Sequence, residues 1–453
     1  MSRTPSPETK ATLIEGDIRQ HLIRLTVPMV WAILAMHSIN IADTWFVAQL
    51  GKASLAAMSF TFPVVMLLLS LGIGFMAGTS SVLSRVIGQG DDNRVSRLTT
   101  DSILLAIVCA VVLSVVGLLT MDSIFLAMGA SEELLPLIRE YMVIWFAGYL
   151  FLLVPMAGIG CLRATGDSKL QSRIMMIAAV LNLILDPILI FGLLGVPAFG
   201  IAGAAIATVV ARGATMIIGY RELRKRNMIS LELPSLPQLF DSWKSLAHVG
   251  LPAAGTNMII PLGTGIVVAM IAGYGLDAVA GHGAAARIES LAMVVFLAMS
   301  SMIGPFVGQN LGAGKTDRIH EVMRLTGRFC VLFGLALALV IYFSAGYIMA
   351  LFSNDPAVIE FGELYLITVT LGFGAAGIVM NVNASFNGLG RPLPGVVVST
   401  ARIFVFMIPA AWIGGELMGL QGIFAGVLVA NLLAATLAYV WFQRKNSLNI
   451  SPG

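Results

Sequence analysis

Apolar residues in this chain come in long unbroken runs, and polar residues collect between them. The runs cover roughly 25–48, 54–80, 99–120, 134–160, 171–194, 200–220, 246–273, 279–304, 325–345, 358–383, 393–414 and 420–442. A helix rises about 1.5 Å per residue, so about 20 apolar residues cross the ~30 Å hydrocarbon layer of a bilayer. Strict alternation is absent, and the runs are too long for barrel strands of about 10 residues. The pattern predicts an all-α integral membrane fold with twelve transmembrane helices.

The runs also repeat as a set. Leu25-Thr26-Val27-Pro28 recurs as Val249-Gly250-Leu251-Pro252, and Ile87-Gly88-Gln89-Gly90 recurs as Val307-Gly308-Gln309-Asn310. Ala164-Thr165-Gly166 recurs as Gly388-Leu389-Gly390, and Gly200-Ile201-Ala202-Gly203 as Gly422-Ile423-Phe424-Ala425, always at offsets of 220 to 224. Six spans per half mean that both halves enter the membrane from the same side, so the repeats are parallel about an axis along the membrane normal. The expected organisation is a tail at 1–20, a bundle at 21–220, a linker at 221–245, a bundle at 246–442 and a tail at 443–453. Two bundles from one duplication suggest a solute path and hence a transporter. Small-residue runs such as Gly72-Ile73-Gly74 and Gly200 to Ala205 are expected to serve close helix packing.

Composition agrees with lipid as the solvent: 58% of residues are hydrophobic and 11% charged, and the mean hydropathy is +0.91. A net charge of +3 is no nucleic-acid footprint. The placement of the 27 basic residues is more telling, since 22 fall on one side of the predicted topology and only Lys52 and Arg139 on the other. That bias orients both termini toward the cytoplasm in a plasma or inner membrane. Arg212, Arg287 and Arg402 remain within spans. The polar first twenty residues lack a basic n-region, so no cleaved signal peptide is expected. Cys109, Cys161 and Cys330 are isolated, the five histidines are scattered, and neither suggests a disulfide framework or a metal site.

An ionisable residue within the hydrocarbon costs about 2.5–3.5 kcal/mol on insertion scales, so each one asks for a reason. Asp43 lies near the outer end of the first span, three residues after Asn40. Asn182 and Asp186 stand four residues apart in the fifth span and share a helix face. Pro187 has no N–H for the carbonyl of Leu183, which becomes a free acceptor near that face. Thr208, two turns into the sixth span, falls at a similar depth. Two carboxylates close together in low dielectric do not both ionise without a cation: one holds a proton, or Na⁺ binds at Asp43, Asn182 and Asp186. The second half has no matching carboxylate, because 224 residues after Asp186 stands Ala410. Arg287, Glu289 and Arg402 are expected either to line a cavity or to form structural ion pairs. His37, about 120° off the Asp43 face, is expected to be a hydrogen-bonded structural histidine. Arg212 is expected to snorkel and receives no role.

These features resemble the multidrug and toxic compound extrusion (MATE) family. The resemblance rests on Val307-Gly308-Gln309-Asn310-Leu311-Gly312-Ala313-Gly314, Gly88-Gln89-Gly90, Arg163-Ala164-Thr165-Gly166-Asp167, Asn182 through Pro187, and Asn387-Gly388-Leu389-Gly390-Arg391-Pro392. It implies a V-shaped pair of bundles that exports organic, often cationic or amphipathic, compounds in exchange for H⁺ or Na⁺ by alternating access. It also implies that Asp43 corresponds to the functional acid of the first span, Asn182 and Asp186 to the pair of the fifth, and Thr208 to a polar residue of the sixth. NorM-type members carry another carboxylate in the seventh span, where this chain has Ile260. That favours the DinF-type branch, with coupling confined to the first half. Pro28 makes a bend in the first span plausible.

Other readings stay open. A related lipid-linked oligosaccharide flippase would line its cavity with several basic residues, of which Arg287 and Arg402 are the candidates, and a specific metabolite is another exporter substrate. A membrane enzyme would need a metal, nucleophile or acid–base cluster at a water boundary, and the sequence offers none. A channel is disfavoured because no selectivity-filter pattern recurs. The expectation is a non-enzymatic, multi-pass monomer without cofactor.

Overall fold

The computed structural model describes residues 10–230, 232 and 235–444. The outer parts of both expected tails, and Pro234 within the linker, lie outside the described residues. Long apolar runs of good helix formers need every backbone group satisfied within the segment, and the chain meets that need with helices alone. In the first half these are α1 (Ile18–Ala48), α2 (Lys52–Gln89), α3 (Asp92–Ala127), α4 (Leu135–Ala147), α5 (Leu150–Ala164), α6 (Ser168–Phe191) and α7 (Ile201–Lys225). The second half begins with α8 (Leu236–Ala272), α9 (Leu276–Ala292), α10 (Val294–Gly312), α11 (Thr316–Ala350) and α12 (Pro356–Val369). It continues with α13 (Phe373–Gly388), α14 (Leu393–Thr400), a π-helical turn (Ala401–Met407), α15 (Ile408–Met418) and α16 (Leu420–Gln443).

Eleven stretches are long and apolar enough to cross a bilayer, and the pair α4–α5, bent by 42°, brings the number to as many as twelve. The twelve runs of the sequence therefore have their helices. The helix of the first span passes through Pro28 without interruption, and the Pro28 carbonyl accepts a 2.6 Å hydrogen bond from Ser172 Oγ.

Contacts divide the chain into two compact units, one holding Val27–Ala254 together with the residues up to Leu13, the other Ile14–Thr26 together with everything from Gly255. The division thus falls inside α1 and α8. In the first unit the start of α8 is anchored by Asp101 of α3: Ser242 Oγ donates to its carboxylate at 2.7 Å, and Trp243 Nε1 to its carbonyl at 3.0 Å. Arg97 pairs with the same buried carboxylate at 3.2 Å. In the second unit Lys315 Nζ donates to the Ile14 carbonyl and Arg318 to that of Gly16.

Lipid removes the hydrophobic drive between helices, so close packing carries more of the association. The core of the first unit accordingly joins large side chains such as Tyr149, Phe146 and Trp145 to small ones such as Ala106, Ala204 and Ala205. The small-residue runs do serve packing. A Cβ on Gly203 would come 2.5 Å from the Leu189 carbonyl, so this glycine lets α7 lie directly on α6.

Candidate functional site

That close approach of α6 and α7 accompanies a polar point in the first unit's interior. Asn182 Nδ2 donates to Asp186 Oδ1 one turn away and to Thr208 Oγ1 on α7, each at 3.3 Å. Asp186 is fully buried and Asn182 nearly so. The other oxygen of Asp186, Oδ2, has no hydrogen-bond partner among the described residues, and neither does Oδ1 of Asp43 on α1. A buried polar atom without a partner carries its full desolvation cost, of about 1–3 kcal/mol and more for a charged group. Asp43 is near enough for its charge to act on Asp186.

A cavity of about 200 Å³ joins these residues, lined among others by Asn40, Asp43, Asn182 and Thr208. Asn40 is exposed, and its carbonyl accepts from Thr44 Oγ1 at 2.9 Å. Four of the five residues singled out in the first half thus line one cavity, and the fifth, Asp186, is joined to it through its hydrogen bond from Asn182. The volume decides what fits. Pockets for drug-sized ligands span about 300–1,000 Å³, whereas one water needs only about 10–15 Å³ of such space. At about 200 Å³ this cavity lies below that range and holds on the order of a dozen waters or a hydrated ion.

Among the further lining residues, two aromatics had no sequence signal that could have singled them out. Tyr141 and Trp145 of α4, one turn apart with ring centroids 6.3 Å from each other, face the cavity. Tyr141 lies within electrostatic reach of both carboxylates. In the sequence the two read as ordinary apolar aromatics of a span. Arg212 of α7 also lines the cavity, against the expectation that it only snorkels. Its offset of four from Thr208 places it on the same helix face, and that spacing was the available signal. His37 is a second correction: it is half-buried, does not line the cavity, and has no hydrogen-bond partner among the described residues.

The second unit holds a separate polar cluster. Tyr365 of α12 donates its hydroxyl to Glu289 Oε2 of α9, and Arg402, in the π-helical turn, donates Nε to Asn431 Oδ1 of α16 at 2.9 Å. Arg402 and Glu289 feel each other's charge without forming a direct ion pair among the described residues. His282 packs edge-on against Tyr365 with centroids 4.8 Å apart. Arg287 does not join this cluster: it is exposed on α9, two residues from Glu289 and on another face.

Comparison with known proteins agrees with this architecture. The MatE family model matches residues 28–188 and 252–413, one block in each half. A FAD transporter of Shewanella oneidensis is 36% identical over 433 residues, covering 95% of this chain and 96% of the relative. A probable multidrug resistance protein of Bacillus subtilis, YpnP, is 25% identical over 430 residues, 95% of this chain and 96% of its own. Among solved structures, the Vibrio cholerae MATE transporter VcmN in its bent form superposes with a TM-score of 0.89 at 30% identity, covering 98% of each chain.

Proposed function

The chain belongs to the MATE family of membrane transporters, and on that premise we propose that it exports an organic solute by antiport against H⁺ or Na⁺. Asp43 and Asp186 are the ion-carrying groups in this reading, Asn182 and Thr208 position Asp186, and Asn40 lines the approach. The observation that carries it is the Asp43-lined cavity together with the two carboxylates of Asp43 and Asp186, each of which keeps an oxygen without a partner among the described residues.

The chemistry follows from the cost of charge in that place. With both carboxylates ionised, Asp43 in the cavity and Asp186 beside Asn182 set two negative charges against the single positive charge of Arg212. A proton on either carboxylate, or a Na⁺ among the carboxylate, amide and hydroxyl oxygens, brings the count to neutral. The conformation that best holds the ion is favoured while it is bound, and the other gains when it leaves. The shift in population equals the differential ion affinity of the two states. Coupling then consists of solute leaving from the state that takes up the ion. The side bearing most basic residues is assigned to the cytoplasm, so both termini face inward and the coupling ion enters from outside a plasma or inner membrane. The protein acts as a monomer.

The exported compound in this reading is organic and cationic or amphipathic; the names of the multidrug relatives support export of several drugs. A single metabolite as substrate is the second reading, and FAD is its first candidate because the relative with 36% identity carries that name. One experiment tests both. Purified protein in liposomes is given a pH gradient or a Na⁺ gradient separately, and efflux of a fluorescent organic cation and of FAD is followed. Efflux of one solute under one gradient is expected; efflux that ignores both gradients ends the antiport reading.

A further inference from the structure

A groove on the second unit, which shares no lining residue with the first unit's cavity, has the form of a binding site of a different kind. It lies between α11, α13 and α16 and encloses about 880 Å³. Arg324, Arg328, Leu332 and Leu335 succeed one another along it at spacings of four, four and three, so they form one stripe of α11. The slot exists because side chains are missing where the helices meet: Gly327, Gly334 and Gly374 line it. A Cβ on Gly334 would come 2.6 Å from the Gly374 Cα, which leaves α11 and α13 touching through backbone.

Depth follows from the sequence of α11. No charged residue occurs from Phe329 to Ala350, and 22 residues rise about 33 Å, the thickness of the hydrocarbon layer. Arg328 therefore stands at the edge of that layer and Arg324 one turn outside it. Tyr439, near the end of α16, lines the same end of the groove, as expected of an aromatic at the membrane interface. Leu332 and Leu335 lie deeper and are 69% and 56% exposed. The groove is thus cationic at the interface and apolar inward.

Charge complementarity selects the occupant. No acidic residue lines the groove, and neither arginine forms an ion pair among the described residues. Two guanidinium forks one turn apart match phosphate oxygens, and an apolar slot running inward from them matches an acyl chain. Free phosphate would leave the slot unused, and an apolar helix from a partner would desolvate two arginines without an acceptor. Basic pockets between transmembrane helices on the cytoplasmic side are the general setting for anionic headgroups. We propose that this groove binds one anionic phospholipid, with its phosphate on Arg324 and Arg328 and an acyl chain along Leu332 and Leu335.

The test is native mass spectrometry of the purified protein titrated with phosphatidylglycerol or phosphatidylcholine of identical acyl chains. One phosphatidylglycerol should be retained in preference by roughly tenfold or more, the scale of charge-assisted hydrogen bonds to phosphate. The double variant Arg324→Gln/Arg328→Gln should lose the preference, and both positions are exposed, so folding is expected to hold. Leu335→Trp fills the slot while keeping both arginines, and it should weaken retention as well. Equal retention of the two lipids, or a preference that survives the double variant, overturns the proposal. Displacement by glycerol phosphate as effective as by phosphatidylglycerol would mean an anion site without a chain, and it overturns the proposal too.

Discussion

Tyr141 and Tyr365 stand 224 residues apart, within the offset of the duplication, and each belongs to the polar cluster of its half. What surrounds them differs. Tyr365 gives its hydroxyl to Glu289, with the charge of Arg402 close by and Asn431 holding the arginine. One negative charge there meets one positive charge. Around Tyr141 stand Asp43 and Asp186, each with an oxygen that has no partner among the described residues. A cluster whose charges cancel has no need of an external ion, whereas two carboxylates at one buried point do. The duplicated frame survives in both halves, and the two buried carboxylates with a partnerless oxygen among the described residues belong to the first, where the proposed ion site lies.

The sharpest way to break this contrast is to neutralise each half in turn. Asp186→Asn or Asp43→Asn should reduce gradient-driven efflux in liposomes to the level of protein-free vesicles. The Tm should hold or rise, because a stranded oxygen is relieved. Glu289→Gln should leave gradient-driven efflux largely intact, and its loss would show that the second half also carries the ion.

A smaller effect, in stability and not in transport, is expected from Arg402→Gln. Glu289 then loses its compensating charge, at a cost of up to about 3 kcal/mol. The double change Glu289→Gln/Arg402→Gln should recover part of that loss, as a double-mutant cycle in thermal unfolding would register. The tyrosines sharpen the comparison further. Tyr365→Phe should destabilise by about 1–3 kcal/mol because Glu289 loses its donor. Tyr141→Phe should leave the Tm unchanged and shift the pH dependence of efflux, which a series of external pH values would show.

The smallest expected effect lies in the loop before α6. Asp167 caps that helix through the Leu170 N–H and pairs with Arg226 at 2.8 Å, whereas the repeat has Arg391 about there. Burial raises the Asp167 pKa, but the Leu170 N–H and the Arg226 guanidinium outweigh it and hold the carboxyl below its ordinary value. A depressed pKa stabilises the fold above the unfolded value of about 3.9, and the contribution fades as pH falls through the folded value. Asp167→Ala should therefore cost about 1 kcal/mol at pH 7, and its Tm deficit should shrink by pH 3.

Much of the frame was legible because membrane insertion is a demand on composition. A run of about 20 apolar residues has few ways to satisfy its backbone in lipid, so the helices at 99–120 or 325–345 follow from hydropathy alone. The pairing of Asn182 with Asp186 was legible for a similar reason, since residues four apart on one helix must be neighbours. The bend between α4 and α5 and the π-helical turn around Arg402 left no comparable mark, because packing against neighbouring helices decides them.

Local composition and spacing along the chain dictated the membrane spans, their duplication, and which buried residues would be costly in lipid. Packing between helices brings the charge of Asp43 to bear on Asp186, lines the Asp43 cavity with Tyr141 and Arg212, and sets Tyr365 and the charge of Arg402 beside Glu289 while Arg287 stays exposed. Those contacts join residues from different helices. Their meeting depends on backbone approaches such as Gly203 against Leu189, which no spacing along a single helix encodes.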